Sequence, residues 1–121
     1  PQVTALREAG IRVSLFLDAD PRQLEAAAEL GAEVVELHTG HYAEGRPGEV
    51  ERLRAGASLL ARLGLECHAG HGLTYANVVP VAAVPEVVEL NIGHFLIGQA
   101  VLDGLSGAVA RMKALIQGAR P

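Results

Sequence analysis

Apolar residues along the chain gather in short β-rich runs that alternate with stretches of helical period, four times over. The first run, 12–18 (RVSLFLD), ends in Asp18. Asp20 then stands as a helix N-cap with Pro21 at the first helical position. Leu24, Ala27, Ala28 and Leu30 follow at helical spacing, and Gly31 stops the helix. The second run, 33–38 (EVVELH), leads into Thr39-Gly40-His41-Tyr42 and a polar loop with Gly45, Pro47 and Gly48. A helix is predicted over 49–63, with Val50, Leu53, Ala57, Leu60 and Ala61 on one side and Gly64 as its stop. A third strand is predicted at 65–69 (LECHA), before Gly70-His71-Gly72 and a short helix near 75–83. The fourth covers 88–92 (VELNI) and precedes Gly93-His94. Helices are then predicted over 95–102 and 106–117, split near Gly104. Residues 4–9 read as the tail of a preceding helix, closed by Gly10.

Repeated βα units imply a parallel sheet with right-handed crossovers. No Rossmann glycine fingerprint follows any strand. Polar residues sit instead at the C-terminal ends of the strands: Asp18, Glu36 with His38, His71, and Asn91 with His94. A (β/α)8 barrel keeps its active site at that edge. An open doubly wound sheet binds ligands there too, so the pattern alone leaves both architectures open. Four units make half a barrel, with two unpaired edges and an apolar sheet face for a missing half to fill. The chain starts at Pro1 and its only methionine is Met112. More chain upstream of Pro1 is therefore expected, and residues 1–121 are read as a single domain.

Composition narrows the picture. Half of the 121 residues are hydrophobic but only 3% are aromatic, so the core must be built from Ala, Val, Leu and Ile. That suits parallel strands covered by small-residue helices. A net charge of −4 argues against a nucleic-acid partner and is too mild for an acidic interaction tail. With Cys67 as the one cysteine, neither a disulfide framework nor a Cys-rich zinc site can form within the chain. A reducing cytoplasm fits best. No apolar run approaches the roughly 18 residues of a membrane span, and no signal peptide is visible.

Several residues could carry chemistry. Alternation puts Val34, Glu36 and His38 on one face of the second strand and Val35 and Leu37 on the other. A carboxylate inside an apolar strand is costly unless paired or useful. Glu36 is either half of an ion pair with a neighbouring strand or a charge that serves an intermediate. His71, between two glycines at a strand end, is either a solvated loop histidine or a proton carrier approached closely by a ligand. Gly72, Gly93 and His94 suit a phosphate cradle made of backbone N–H groups and a helix N-terminus. His38, His41, His71 and His94 lie at or beyond strand ends. With Glu36, three of them could in principle bind a divalent metal, but no HxH or HExxH pair occurs. His68 and His71 should point to different faces. Cys67 reads as a small buried packing residue.

The stretches RVSLFLDAD, EVVELHTGHYA, AGHGLTYANV and ELNIGHFLIG, in that order, resemble the later strands of the pyridoxine 5′-phosphate synthase family of vitamin B6 biosynthesis. The resemblance covers nearly the whole chain, and HTG…Y, AGHGLTY and LNIGH together are specific. It implies the C-terminal half of a (β/α)8 TIM barrel. It implies condensation of 1-deoxy-D-xylulose 5-phosphate with 3-amino-2-oxopropyl phosphate, releasing phosphate and water, with no redox cofactor and no obligatory metal. By motif, His71 resembles the family's proton donor and Glu36 the glutamate that stabilises charged intermediates. Gly72, Gly93 and His94 resemble its contacts to the aminoketone phosphate. A cytoplasmic homo-oligomer, an octamer, is implied as well. The loop around 43–51 is shorter than the family's. The family's other acid–base histidine and glutamate, and most contacts to the xylulose phosphate, have no counterpart here. The chain alone is therefore expected to be inactive. Two other readings stay open: another phosphosugar enzyme on the same barrel, such as an isomerase or epimerase, and a non-catalytic half-barrel that binds phosphate.

Overall fold

The computed structural model describes residues 2–120. Four parallel strands form one sheet in the order β1 (Ser14–Leu17), β2 (Val34–His38), β3 (Glu66–Gly70) and β4 (Val87–Asn91). A short helix, α1 (Gln2–Glu8), precedes β1. The crossovers carry α2 (Pro21–Glu29), then α3 (Gly40–Ala43) with α4 (Glu49–Arg62), then α5 (Val78–Ala82). Two helices follow β4, α6 (His94–Asp103) and α7 (Leu105–Gly118), broken at Gly104. Among the described residues no helix is long and apolar enough to cross a membrane.

Local chemistry explains most of these boundaries. The Asp20 side chain accepts hydrogen bonds from the N–H groups of Arg22 (2.9 Å) and Gln23 (3.3 Å), with Pro21 opening α2 as expected. Gly31 and Gly64 leave α2 and α4 with φ near +80° and +76°, a conformation that costs glycine little. Two helices differ from the sequence-based reading. Residues 75–77 do not join α5, because the Asn77 carboxamide accepts from the N–H of Thr74 (2.6 Å) and closes a turn there. The expected loop after Thr39 opens with a single helical turn, α3.

All of the strand-covering helices pack on one face of the sheet. Leu15, Leu17, Val35, Leu37, Cys67, Ala69 and Leu90 meet Leu24 and Ala27 of α2, Leu53, Ala57 and Leu60 of α4, and Val81. Burial of a leucine such as Leu37 or Leu60 contributes about 1.5–3 kcal/mol. The burying faces differ in detail from the expected ones. Leu30 is exposed past the end of α2, and Ala61 is exposed on α4. Gly56 is buried instead, since a Cβ there would stand 3.0 Å from the Cβ of Ala19.

The other face is not the apolar surface expected of it. One register row across it reads Phe16, Glu36, His68, Glu89, and the next reads His38, Gly70, Asn91. Phe16 is half exposed there. A bulge between Cys67 and His68 in the β3–β4 pairing leaves Val88 outside the ladder and brings Glu89 opposite His68. Phe16, Glu36 and Asn91 of this face line a cleft.

Candidate functional site

A cleft of about 750 Å³ opens over the C-terminal ends of β2, β3 and β4. Glu36, His71, Gly72, Gly93 and His94 all line it, so five residues singled out on the sequence converge in one place. Phe16 and Asn91 complete the sheet side, and Phe95 closes the side toward α6.

Glu36 rises from the middle of the open face. Its Oε2 accepts from Asn91 Nδ2 at 2.9 Å, and among the described residues it pairs with no cation. Its Oε1 lies over Gly70, where any Cβ would collide with it. Glycine at 70 thus lets the carboxylate lean across β3 to reach β4.

His71 is the one non-glycine residue with positive φ (85°) among those described. A left-handed backbone is unfavourable for a residue with a Cβ and must be held by its surroundings. Thr39 holds it. The fully buried Thr39 hydroxyl lies 2.7 Å from the carbonyl of Gly70 and 2.5 Å from that of His71, and its N–H donates to Gly70 at 2.8 Å. This turn corrects one expectation. His68 lies in register with Glu36 on the open face, and the reversal at His71 brings that ring into the cleft on the same side. Alternation stops applying once the backbone leaves the extended region.

The turn continues through Gly72, where φ is 74° and an added Cβ would stand 2.6 Å from the Ala43 Cβ, so no side chain fits. Asn77 Nδ2 donates to the Gly72 carbonyl at 3.1 Å, and the Tyr42 hydroxyl donates to the Asn77 carbonyl at 2.7 Å. Burial pushes the Tyr42 phenol above its ordinary pKa, so it keeps its proton to donate. Across the cleft, α6 starts at His94 with Gly93 as its cap residue and no side chain capping its first turn. Gly93, His94 and Phe95 at this helix start line the cleft, and the first-turn N–H groups have no intrahelical acceptor. Phe95 meets Tyr75 edge to face at 4.7 Å, Arg111 lies 4.3 Å above the Tyr75 ring, and the Tyr75 hydroxyl donates to Ala108. These contacts tie the helix start to α7.

Two further clusters of titratable groups involve the open face of the sheet. His38 Nδ1 lies 3.1 Å from Asp18 Oδ1, with the His41 and His71 rings close by. Deeper on the open face, His68 sits between Glu66 (2.7 Å) and Glu89 (3.4 Å). The bond from His68, with a second from Arg12, holds the Glu66 carboxyl below its ordinary pKa. Cys67 faces the core, and burial pushes its thiol up to about 12. Among the described residues no three His, Cys, Asp or Glu side chains are grouped to hold a metal ion.

The family model described as "Pyridoxal phosphate biosynthesis protein PdxJ" matches residues 1–118. The chain belongs to this family. A relative from Gluconobacter oxydans (strain 621H), named pyridoxine 5′-phosphate synthase, is 61% identical over 96% of this chain and 50% of its own length. Relatives of the same name from Xanthobacter autotrophicus and Caulobacter sp. (strain K31) are 58% and 56% identical, over 99% and 95% of this chain. The chain spans about half the length of the curated relatives it matches.

The sequence alone assigns no site role to Phe16 or Asn91, which line this PdxJ-family cleft, or to the buried Thr39. Asn91 was visible as a polar strand end, but only the β3–β4 register brings it beside Glu36. Thr39 stands in the HTG…Y motif, but the motif does not show what its hydroxyl holds, because that turn lies 31 residues away.

Proposed function

We propose that the chain is the second half of a (β/α)8-barrel pyridoxine 5′-phosphate synthase. The observation that carries this reading is the convergence of Glu36, His71, Gly72, Gly93 and His94 on one cleft in a member of the PdxJ family. Three features support the half-barrel. The strands run in sequential order, the helices cover one face only, and the relatives are twice as long. A doubly wound sheet would reverse its strand order and cover both faces.

The substrates are 1-deoxy-D-xylulose 5-phosphate and 3-amino-2-oxopropyl phosphate. His71, turned into the cleft, donates protons during imine formation, dehydration and ring closure. Glu36, whose carboxylate lies over Gly70, stabilises the cationic intermediates. The start of α6, at Gly93 and His94, holds the aminoketone phosphate from one side with Gly72 opposite. No step calls for a redox cofactor. The other half of the barrel supplies the remaining acid–base groups and the xylulose phosphate contacts. A cytoplasmic homo-oligomer, octameric as in the family, fits the exposed apolar stretch of α6 at Ile97, Val101 and Leu102.

The test is to mix the two phosphorylated compounds with the complete encoded polypeptide and, separately, with the 121-residue chain. Pyridoxine 5′-phosphate and inorganic phosphate are expected only from the complete polypeptide. Failure of that polypeptide to form product would refute the assigned activity, and turnover by the chain alone would refute the half-site reading.

A further inference from the structure

The cleft employs Glu36, His71 and the phosphate cradle but leaves a second set of charged groups at the ends of β1 and β2 without a role. Asp18 follows β1, His38 ends β2, and Arg52 reaches in from α4. Asp18 Oδ1 lies 3.1 Å from His38 Nδ1 and 3.8 Å from Arg52 Nη2. An ionised carboxylate only accepts hydrogen bonds, so this contact requires the proton on His38 Nδ1. Asp18 thereby selects the tautomer and the ring orientation.

The far side of the His38 ring is turned toward His71. The two rings meet edge to face, with centroids 4.9 Å apart and planes at 62°. Phe16 braces His38 from the sheet side at 5.0 Å, and His41 lies 5.8 Å away. Gly40 makes the meeting possible, since a Cβ there would stand 2.5 Å from His38 Nε2 and 3.2 Å from His71 Cδ2. The groups facing His38 are thus Asp18, His41 and His71, with Arg52 behind Asp18. His71 is gripped twice by consecutive residues: its backbone by Thr39 and its ring by His38.

We propose that His38, oriented by Asp18, is a positioning residue that sets the direction of the His71 imidazole in the cleft. The proposal rests on the reading of His71 as the proton donor. Misplacing a reacting group by about 1 Å costs on the order of 100-fold in rate. A ring held only by a strained turn has that freedom unless a neighbour removes it.

The test uses the complete encoded polypeptide carrying Asp18→Asn, His38→Phe, or both. Asp18→Asn is nearly isosteric and His38→Phe keeps a ring against His71, so both report on orientation rather than bulk. Each is expected to lower kcat about 100-fold with KM for either phosphorylated substrate changed less than about twofold. The double variant should be no slower than His38→Phe alone. The limb of the kcat–pH profile that reports the proton donor should move, and the His71 ring signals in NMR should shift. Unchanged kcat and pH profile, or losses that multiply in the double variant, would overturn the proposal. Should the unsubstituted polypeptide make no product, the functional reading fails and the NMR arm still decides: His71 ring signals displaced by Asp18→Asn support the dyad, and unmoved signals sink it.

Discussion

The two faces of the sheet are built from alternate residues of the same four strands, yet they serve different ends. Toward the helices, Leu37 and Val35 are fully buried among Leu24, Leu60 and Ala57, and the contacts are apolar throughout. Toward the cleft, the neighbours of those residues are Glu36 and His38, and polar groups pair with one another: Glu36 with Asn91, His38 with Asp18, His68 with Glu66 and Glu89. The difference teaches that stability and chemistry are divided by strand parity. The helix-covered face holds the sheet together, and the open face spends some of that stability on a strained turn at His71 and a carboxylate wedged over a glycine.

The sharpest way to break this division is His71→Gly in the complete polypeptide. The proton carrier proposed at His71 is thereby removed, and kcat is expected to fall by about 100- to 10,000-fold. Stability should rise slightly, because relief of a left-handed backbone is worth roughly 1–2 kcal/mol against about 0.5–1 kcal/mol for the added freedom of an unfolded glycine. Urea unfolding beside steady-state kinetics measures both, and a loss of stability would contradict the strain argument. On the other face, Leu37→Ala should cost about 3 kcal/mol through the lost contacts and the cavity left behind. A shift in the urea midpoint worth less than about 1 kcal/mol would show that the helices do not clamp that position.

Gly70→Ala joins the two faces. The new methyl meets the Asn91 carbonyl at 2.8 Å and collides with Glu36, so we expect a loss of about 1–3 kcal/mol. A fall in kcat should accompany it as Glu36 is displaced. Stability without any kinetic effect would mean that the Glu36 position does not matter. The smallest effect concerns pH. Glu66 is held below its ordinary value of 4.5, first by the bond from His68 and then by Arg12. Its contribution to stability is complete above that ordinary value and is lost as pH falls through the lower folded one. Thermal melts should therefore drop more steeply with acidification below about pH 4.5 in the parent than in Glu66→Gln. Parallel curves would count against the network.

Much of this was legible in the sequence, for reasons that are local. Asp20 with Pro21 marked the start of α2, and Gly31 and Gly64 marked helix ends, because capping depends on residues within one turn. Glu36 and His71 stood out as a charge in an apolar strand and a histidine between glycines. The partner of each was not legible. Asn91 lies 55 residues from Glu36, and Thr39 lies 32 from His71. Period two correctly separated Glu36 from Leu37 but misplaced His71 relative to His68, since the rule assumes an extended backbone that ends at Gly70.

By itself, then, the sequence determined the alternating order of strands and helices, the parity that sends Leu37 inward and Glu36 outward, and the residues gathered at the strand ends. Those properties follow from periodicity and capping over a few residues. Only the tertiary structure decided the rest: the bulge that sets Glu89 against His68, the lean of Glu36 over Gly70 to Asn91, and the left-handed turn that Thr39 holds so that His71 faces the cleft. Each depends on hydrogen-bond register and packing between segments distant in the chain, and no local pattern encodes a register.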